Sequence, residues 1–247
     1  MLNPRLFALL FFATPAAADT ALFAVAANYA TAAEAQAAAY KVVSGHDIQL
    51  TTGSTGKLYA QIGAGAPFDA MLSADAATPE RLEAEGLAVA GSRFTYALGA
   101  LVLWSLDPAL IGPDPMVTLT NPDLHHLAIA NPELAPYGVA AKQALDSLGL
   151  SDGLIAQMVV GENIGQTYAM VATGGAEAGF VALSALAEDT AGSRWQVPQE
   201  LFEPIRQDAV LLVHGADNAA ARGFLEWLAS PAAEPINASF GYANATP

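Results

Sequence analysis

Ser54 and Lys57 stand three residues apart in "GSTGK" (53–57), a glycine-rich turn carrying two hydroxyls and an amine. Three chemistries use such a set. A Walker loop reads G-x-x-x-x-G-K-[ST], its last hydroxyl binding magnesium. Here Thr51 replaces the first glycine and Leu58 the hydroxyl, so a nucleotide loop is excluded. A serine acyl-enzyme uses S-x-x-K with serine as nucleophile and lysine as base, alongside S-D-N and K-T-G elements. The chain offers only "SDG" (151–153) and no K-T-G, which leaves an exported acyl-enzyme built on Ser54 and Lys57 as a remote alternative. The third chemistry is anion binding, by hydroxyls and by the unpaired N–H groups at a helix start.

The remaining polar residues suggest no other centre. His125 and His126 are adjacent and on a strand would face opposite ways, while His46 and His214 lack a ligand partner at metal spacing. Asp69 and Asp75 flank one apolar stretch, where caps explain them better than a cation does. With no cysteine there is neither disulfide nor thiolate. No bound metal cation and no cofactor are expected. A formal net charge of −15 repels nucleic acid and anionic lipid, so neither is expected as a partner.

These residues need a scaffold, and the chain alternates to supply one. Residues 1–18 read as a cleavable secretory leader: Arg5, an apolar run from Leu6 to Ala13, Pro15, then small residues before Asp19. Cleavage after Ala18 is expected, with the rest free in a periplasm-like compartment. "LFAVAA" (22–27), "DIQLTT" (47–52) and "FDAMLSA" (68–74) read as strands separated by helical stretches, one stopped by Gly45 and one capped by Thr78 before Pro79. Such repetition predicts a doubly wound parallel α/β sheet. Two long apolar runs, "FTYALGALVLWS" (94–105) and "PIRQDAVLLV" (204–213), bracket a second strand-helix set. The chain therefore leaves lobe one near residue 98 and returns near 207. Lobe one is 19–98 plus 207–247, lobe two is 99–206, and the paired crossovers form a hinge beside a cleft.

Four loops then share one design: "AANYA" (26–30), "GSTGK", "APYGVA" (135–140) and "GENIGQ" (161–166) each lead from a strand end into a helix. In open α/β sheets, ligands bind outside the carboxyl ends of strands. Four helix starts, two per lobe, could converge on one small anion.

"GSTGKLYAQIGAGAPFDAMLSAD", "GSRFTYALGALVLWS", "NPELAPYG" and "GFVAL" in this order resemble the periplasmic molybdate-binding proteins that feed an ABC transporter. The resemblance spans the whole chain after the leader. It implies a two-lobed type II periplasmic binding protein fold, with a hinge and an interlobe cleft for molybdate or tungstate. It also implies a monomer and an inner-membrane permease as partner. Carried over, the ligand contacts fall on Ala27 and Asn28, on Ser54 and Thr55, on Tyr137 and on Ile164. Asn28 would donate through its N–H and its side-chain amide, Thr55 through its N–H and Oγ1, and Tyr137 and Ile164 through backbone N–H. A tyrosine hydroxyl used in one branch of the family is absent, because Ala182 stands there. Every such group donates and none is charged, which excludes sugars and organic cations but leaves sulfate or another small anion as the alternative. Glu162 is expected to turn away, and Lys57 to lie on a helix surface.

Overall fold

The computed structural model describes residues 19–187 and 191–243; the leader expected over 1–18 lies outside them. β1 (Thr20–Ala26) runs through a 3-10 turn into α1 (Ala30–Ser44), where Gly45 closes the helix in the left-handed region at φ 77°. β2 (Asp47–Gly53), α2 (Thr55–Gly63), β3 (Ala70–Leu72) and α3 (Ala77–Ala84) follow. The long apolar run divides into β4 (Phe94–Gly99) and β5 (Leu101–Ser105). Next come α4 (Pro115–Leu119), β6 (Leu127–Ala130), α5 (Pro136–Ser147), α6 (Ser151–Leu154), β7 (Met158–Gly161), α7 (Ile164–Ala172), β8 (Ala178–Ala182) and β9 (Ser193–Gln196). β10 (Ile205–Leu211), α8 (Ala219–Leu228) and α9 (Glu234–Ser239) complete the elements of the described residues.

The strands form two five-stranded sheets, ordered β2-β1-β3-β10-β4 and β7-β6-β8-β5-β9. Three strands of each sheet are parallel neighbours, β2-β1-β3 and β7-β6-β8. The fourth is antiparallel to both its neighbours: β10 between β3 and β4, β5 between β8 and β9. The sheets are therefore mixed, where alternation predicted a parallel one. The reason lies in the crossings. β4 passes into β5 through Ala100 alone, and the chain returns from β9 to β10; each strand that enters a sheet inserts against the direction of its neighbours. A strand buried on both faces, as all five residues of β5 are, reads the same whichever way it runs.

The first sheet carries apolar cores on both faces, one around Phe23, Tyr29, Tyr40 and Phe224, the other around Leu58, Met71 and Leu82. α8 buries Phe224, Leu225 and Leu228, the apolar face its sequence spacing predicts. The second core gathers Leu101, Leu103, Tyr137, Leu145 and Phe180, and also takes in Ala26 and Ala74 from strand ends of the first sheet. The two halves thus meet face to face at those ends. One cap differs from expectation: Thr78 lies inside α3, and Asp75 receives its N–H at 2.8 Å. Asp75, three residues earlier, offers two carboxylate oxygens where Thr78 offers one hydroxyl, and the second of them takes that hydroxyl at 3.1 Å.

Candidate functional site

At the carboxyl ends of β1, β2, β6 and β7 the four loops enclose one small void. Ala27, Asn28, Ser54 and Thr55 line it from the first sheet, and Tyr137 and Ile164 from the second. All six residues expected from the sequence are thus brought together. Ala26, Gly53, Ala74, Ala135, Pro136 and Asn163 fill the wall between them. No charged side chain lines it. The cavity volume is about 10 Å³, far below the roughly 300–1,000 Å³ of pockets for organic ligands.

Each loop presents its helix start to this void for a local reason. Ala26 ends β1 with extended backbone (ψ 134°), so the next residues open a 3-10 turn. Ser54 occupies the N-cap of α2 but makes no capping bond, and its buried hydroxyl has no partner among the described residues. Pro136 opens α5 at a position that needs no N–H. Asn163 caps α7, accepting from the Gln166 N–H at 3.0 Å. The caps leave the N–H groups of Asn28, Thr55, Tyr137 and Ile164 without an acceptor among the described residues. Gly138 lets α5 start this close to β6, because a Cβ there would overlap the Ala130 carbonyl.

The side chains behave less uniformly than the resemblance implies. The Asn28 amide turns inward, its Nδ2 donating to Gln207 Oε1 at 2.6 Å and to the Tyr242 hydroxyl at 3.1 Å. Only its backbone N–H is left for a ligand. Its carbonyl accepts from Tyr242 at 2.6 Å and from Ser184, on the other sheet's side, at 2.8 Å. Thr55 Oγ1 accepts from the Ala74 N–H at 3.2 Å and retains its own proton to donate. Burial pushes the Tyr137 hydroxyl well above the usual tyrosine pKa, as it does for Tyr96 and Tyr242 behind it, so this wall stays neutral.

Glu162 and Lys57, assigned separately to exposed positions, form an ion pair that joins α2 to the loop before α7. Glu162 is also held by Gln166, whose Oε1 accepts its N–H at 2.8 Å. The carboxylate is therefore held at the rim rather than in the void. With its amine engaged there, and no hydrogen bond between it and Ser54, Lys57 is not arranged as a base for a serine nucleophile. The other polar candidates are structural. Asp69 accepts from the Leu22 N–H at 2.7 Å and pairs with His214 at 3.1 Å, a partner 145 residues away that sequence spacing did not reveal. His125 and His126 precede β6 rather than lying on it. No cluster able to hold a metal ion occurs among the described residues.

A family model described as bacterial extracellular solute-binding protein matches residues 21–243. The chain belongs to that family. This solute-binding protein is 46% identical to the molybdate-binding protein ModA of Rhodobacter capsulatus over 230 residues, covering 93% of the chain and 90% of the relative. With ModA of Azotobacter vinelandii it shares 48% over 222 residues, 89% of the chain and 88% of the relative. The structure of the Azotobacter vinelandii periplasmic molybdate-binding protein superposes with a TM-score of 0.88 at 39% identity, covering 92% of this chain and all of that one. The two-lobed type II architecture is thus shared, and a family of binding proteins replaces the acyl-enzyme alternative.

Proposed function

We propose that this solute-binding protein captures molybdate, or tungstate, between its lobes and delivers it to the permease of an ABC transporter from the periplasm. The lobes are residues 19–98 with 207–247, and residues 99–206. Residues 1–18 are the leader that exports the chain. The observation that carries the reading is the void itself, small and walled by hydroxyls and unpaired N–H groups from both lobes, with no charge. Ala27 and Asn28, Ser54 and Thr55, Tyr137 and Ile164 are its ligand contacts, and all the polar contacts are donors.

Such a site suits a compact dianion. Hydrogen bonds to an ionised acceptor are roughly twice as strong as neutral ones, and four helix starts add their partial positive charge. Monohydrogen phosphate brings a proton that needs an acceptor, which these contacts do not supply. The near end-to-end likeness to molybdate-binding proteins supports molybdate over sulfate.

Thermal melting of the ligand-stripped chain with molybdate, tungstate, sulfate and phosphate tests the reading. A ligand at 100 times its Kd stabilises the native state by about 2.7 kcal/mol, which moves the midpoint of a chain this size by roughly 2–4 °C per kcal/mol. Molybdate and tungstate should shift it and phosphate should not. A shift with sulfate alone would reassign the ligand.

A further inference from the structure

Behind the void lies a buried polar side chain that none of the expected contacts includes. The geometry points to Gln207 as a positioning residue that ties the ligand contacts of both lobes to the strand on which the chain returns to the first sheet. The inference rests on the oxyanion reading above.

Gln207 is fully buried on β10, opposite Ala97 of β4, and the ladder shifts register between Gln207 and Asp208. Such an irregularity re-aims a side chain. Its two amide atoms address two different halves of the site. Oε1 accepts from Asn28 Nδ2 at 2.6 Å, which fixes the Asn28 turn from the first lobe. With Oε1 so committed, Nε2 points the other way. There it borders the space over Gly99, where a Cβ would overlap the Tyr137 hydroxyl and stand 2.9 Å from Gln207 Nε2. Both Nε2 and the Tyr137 hydroxyl are buried and have no hydrogen-bond partner among the described residues. A buried donor and acceptor left unmade are costly; the Gln207 amide is already near enough to oppose the rise that burial causes in the Tyr137 pKa, so a slight advance of α5 would complete the bond. A ligand held by the Tyr137 N–H supplies that advance. Seating the anion and completing the Gln207–Tyr137 bond are then one event, felt on β10.

Molybdate titration of the ligand-stripped wild type, Gln207→Leu and Gln207→Glu tests this, with the unliganded melting of each variant as a control on folding. Gln207→Leu should lose affinity about tenfold or more, at every pH, because the Asn28 amide is left with the Tyr242 hydroxyl alone and the Tyr137 hydroxyl has no amide to meet. A buried glutamic acid is held neutral by desolvation and can then accept from Asn28 and donate to Tyr137 as the amide does. The groups facing it are Tyr96 from β4, Tyr137 from α5 and Tyr242 from the C-terminal segment, all kept neutral by burial, and Asp208, which pairs with Arg93 at 2.8 Å. Gln207→Glu should therefore bind within about threefold of wild type near pH 6 and lose about tenfold or more towards pH 8.5, where it ionises, while wild type stays flat. A side chain that merely fills space would show no such rescue. Folded Gln207→Leu binding as well as wild type, or Gln207→Glu tracking wild type at both pH values, would overturn the inference alone. A wild type indifferent to molybdate would overturn the site reading and this inference with it.

Discussion

The Ser54 hydroxyl, on a residue only 3% exposed, has no hydrogen-bond partner among the described residues. Removing it separates binding from stability. Ser54→Ala takes away a hydrogen bond to an ion, worth about 1.5–3 kcal/mol, so molybdate affinity should fall roughly 10- to 150-fold. The unliganded protein loses no bond, and its melting point should hold or rise. A drop in unliganded stability with unchanged affinity, read by calorimetric titration and melting, would place the hydroxyl in the fold rather than the site. This residue was legible because its signal is local: a hydroxyl between two glycines, just before a helical pattern. Gln207 and Tyr242 were not, since they reach Asn28 across 179 and 214 residues and no spacing encodes that. The same distance made the Asn28 amide look free for a ligand when the interior claims it.

At the scale of elements, the strand-loop-helix grammar showed which loops meet, and the burial of whole strands concealed which way β5 and β10 run. The halves also meet backbone to backbone. The Gly56 N–H, in the first turn of α2, donates to the Leu134 carbonyl at 2.9 Å just before α5. A Cβ on Gly56 would lie 3.2 Å from Leu134 Cα and 3.3 Å from its oxygen. Gly56→Val should therefore hold the two helix starts apart. The expected result is a weaker complex, by about five- to thirtyfold if one to two kcal/mol of strain opposes closure, with small-angle scattering showing that molybdate no longer compacts the variant as it does wild type. Equal compaction of both would mean that the loops give way at Leu134. The neighbouring Lys57–Glu162 pair is no substitute for this contact. Its side chains are 53% and 32% exposed, and such pairs contribute about 0.2–1 kcal/mol.

For the whole molecule, charge and ligand are at odds. On the proposed reading, a chain of formal net charge −15 takes up a dianion through a void lined by no cationic side chain, and loss of the expected leader, which carries Arg5, would make the balance one unit worse. Attraction therefore begins only within reach of the helix starts, and at longer range the field repels. Salt screens the long-range part first, since the Debye length shrinks from about 30 Å at 0.01 M to about 8 Å at 0.15 M. The association rate of molybdate, followed by stopped-flow tryptophan fluorescence, should rise severalfold over that range, opposite to the usual steering of charged ligands. The dissociation rate should change much less, because the bonds that hold the anion are short and enclosed. An association rate that falls with salt would show instead that a local positive potential extends beyond the cleft mouth and outweighs the net charge. The helix starts would then attract the anion from solution as well as hold it.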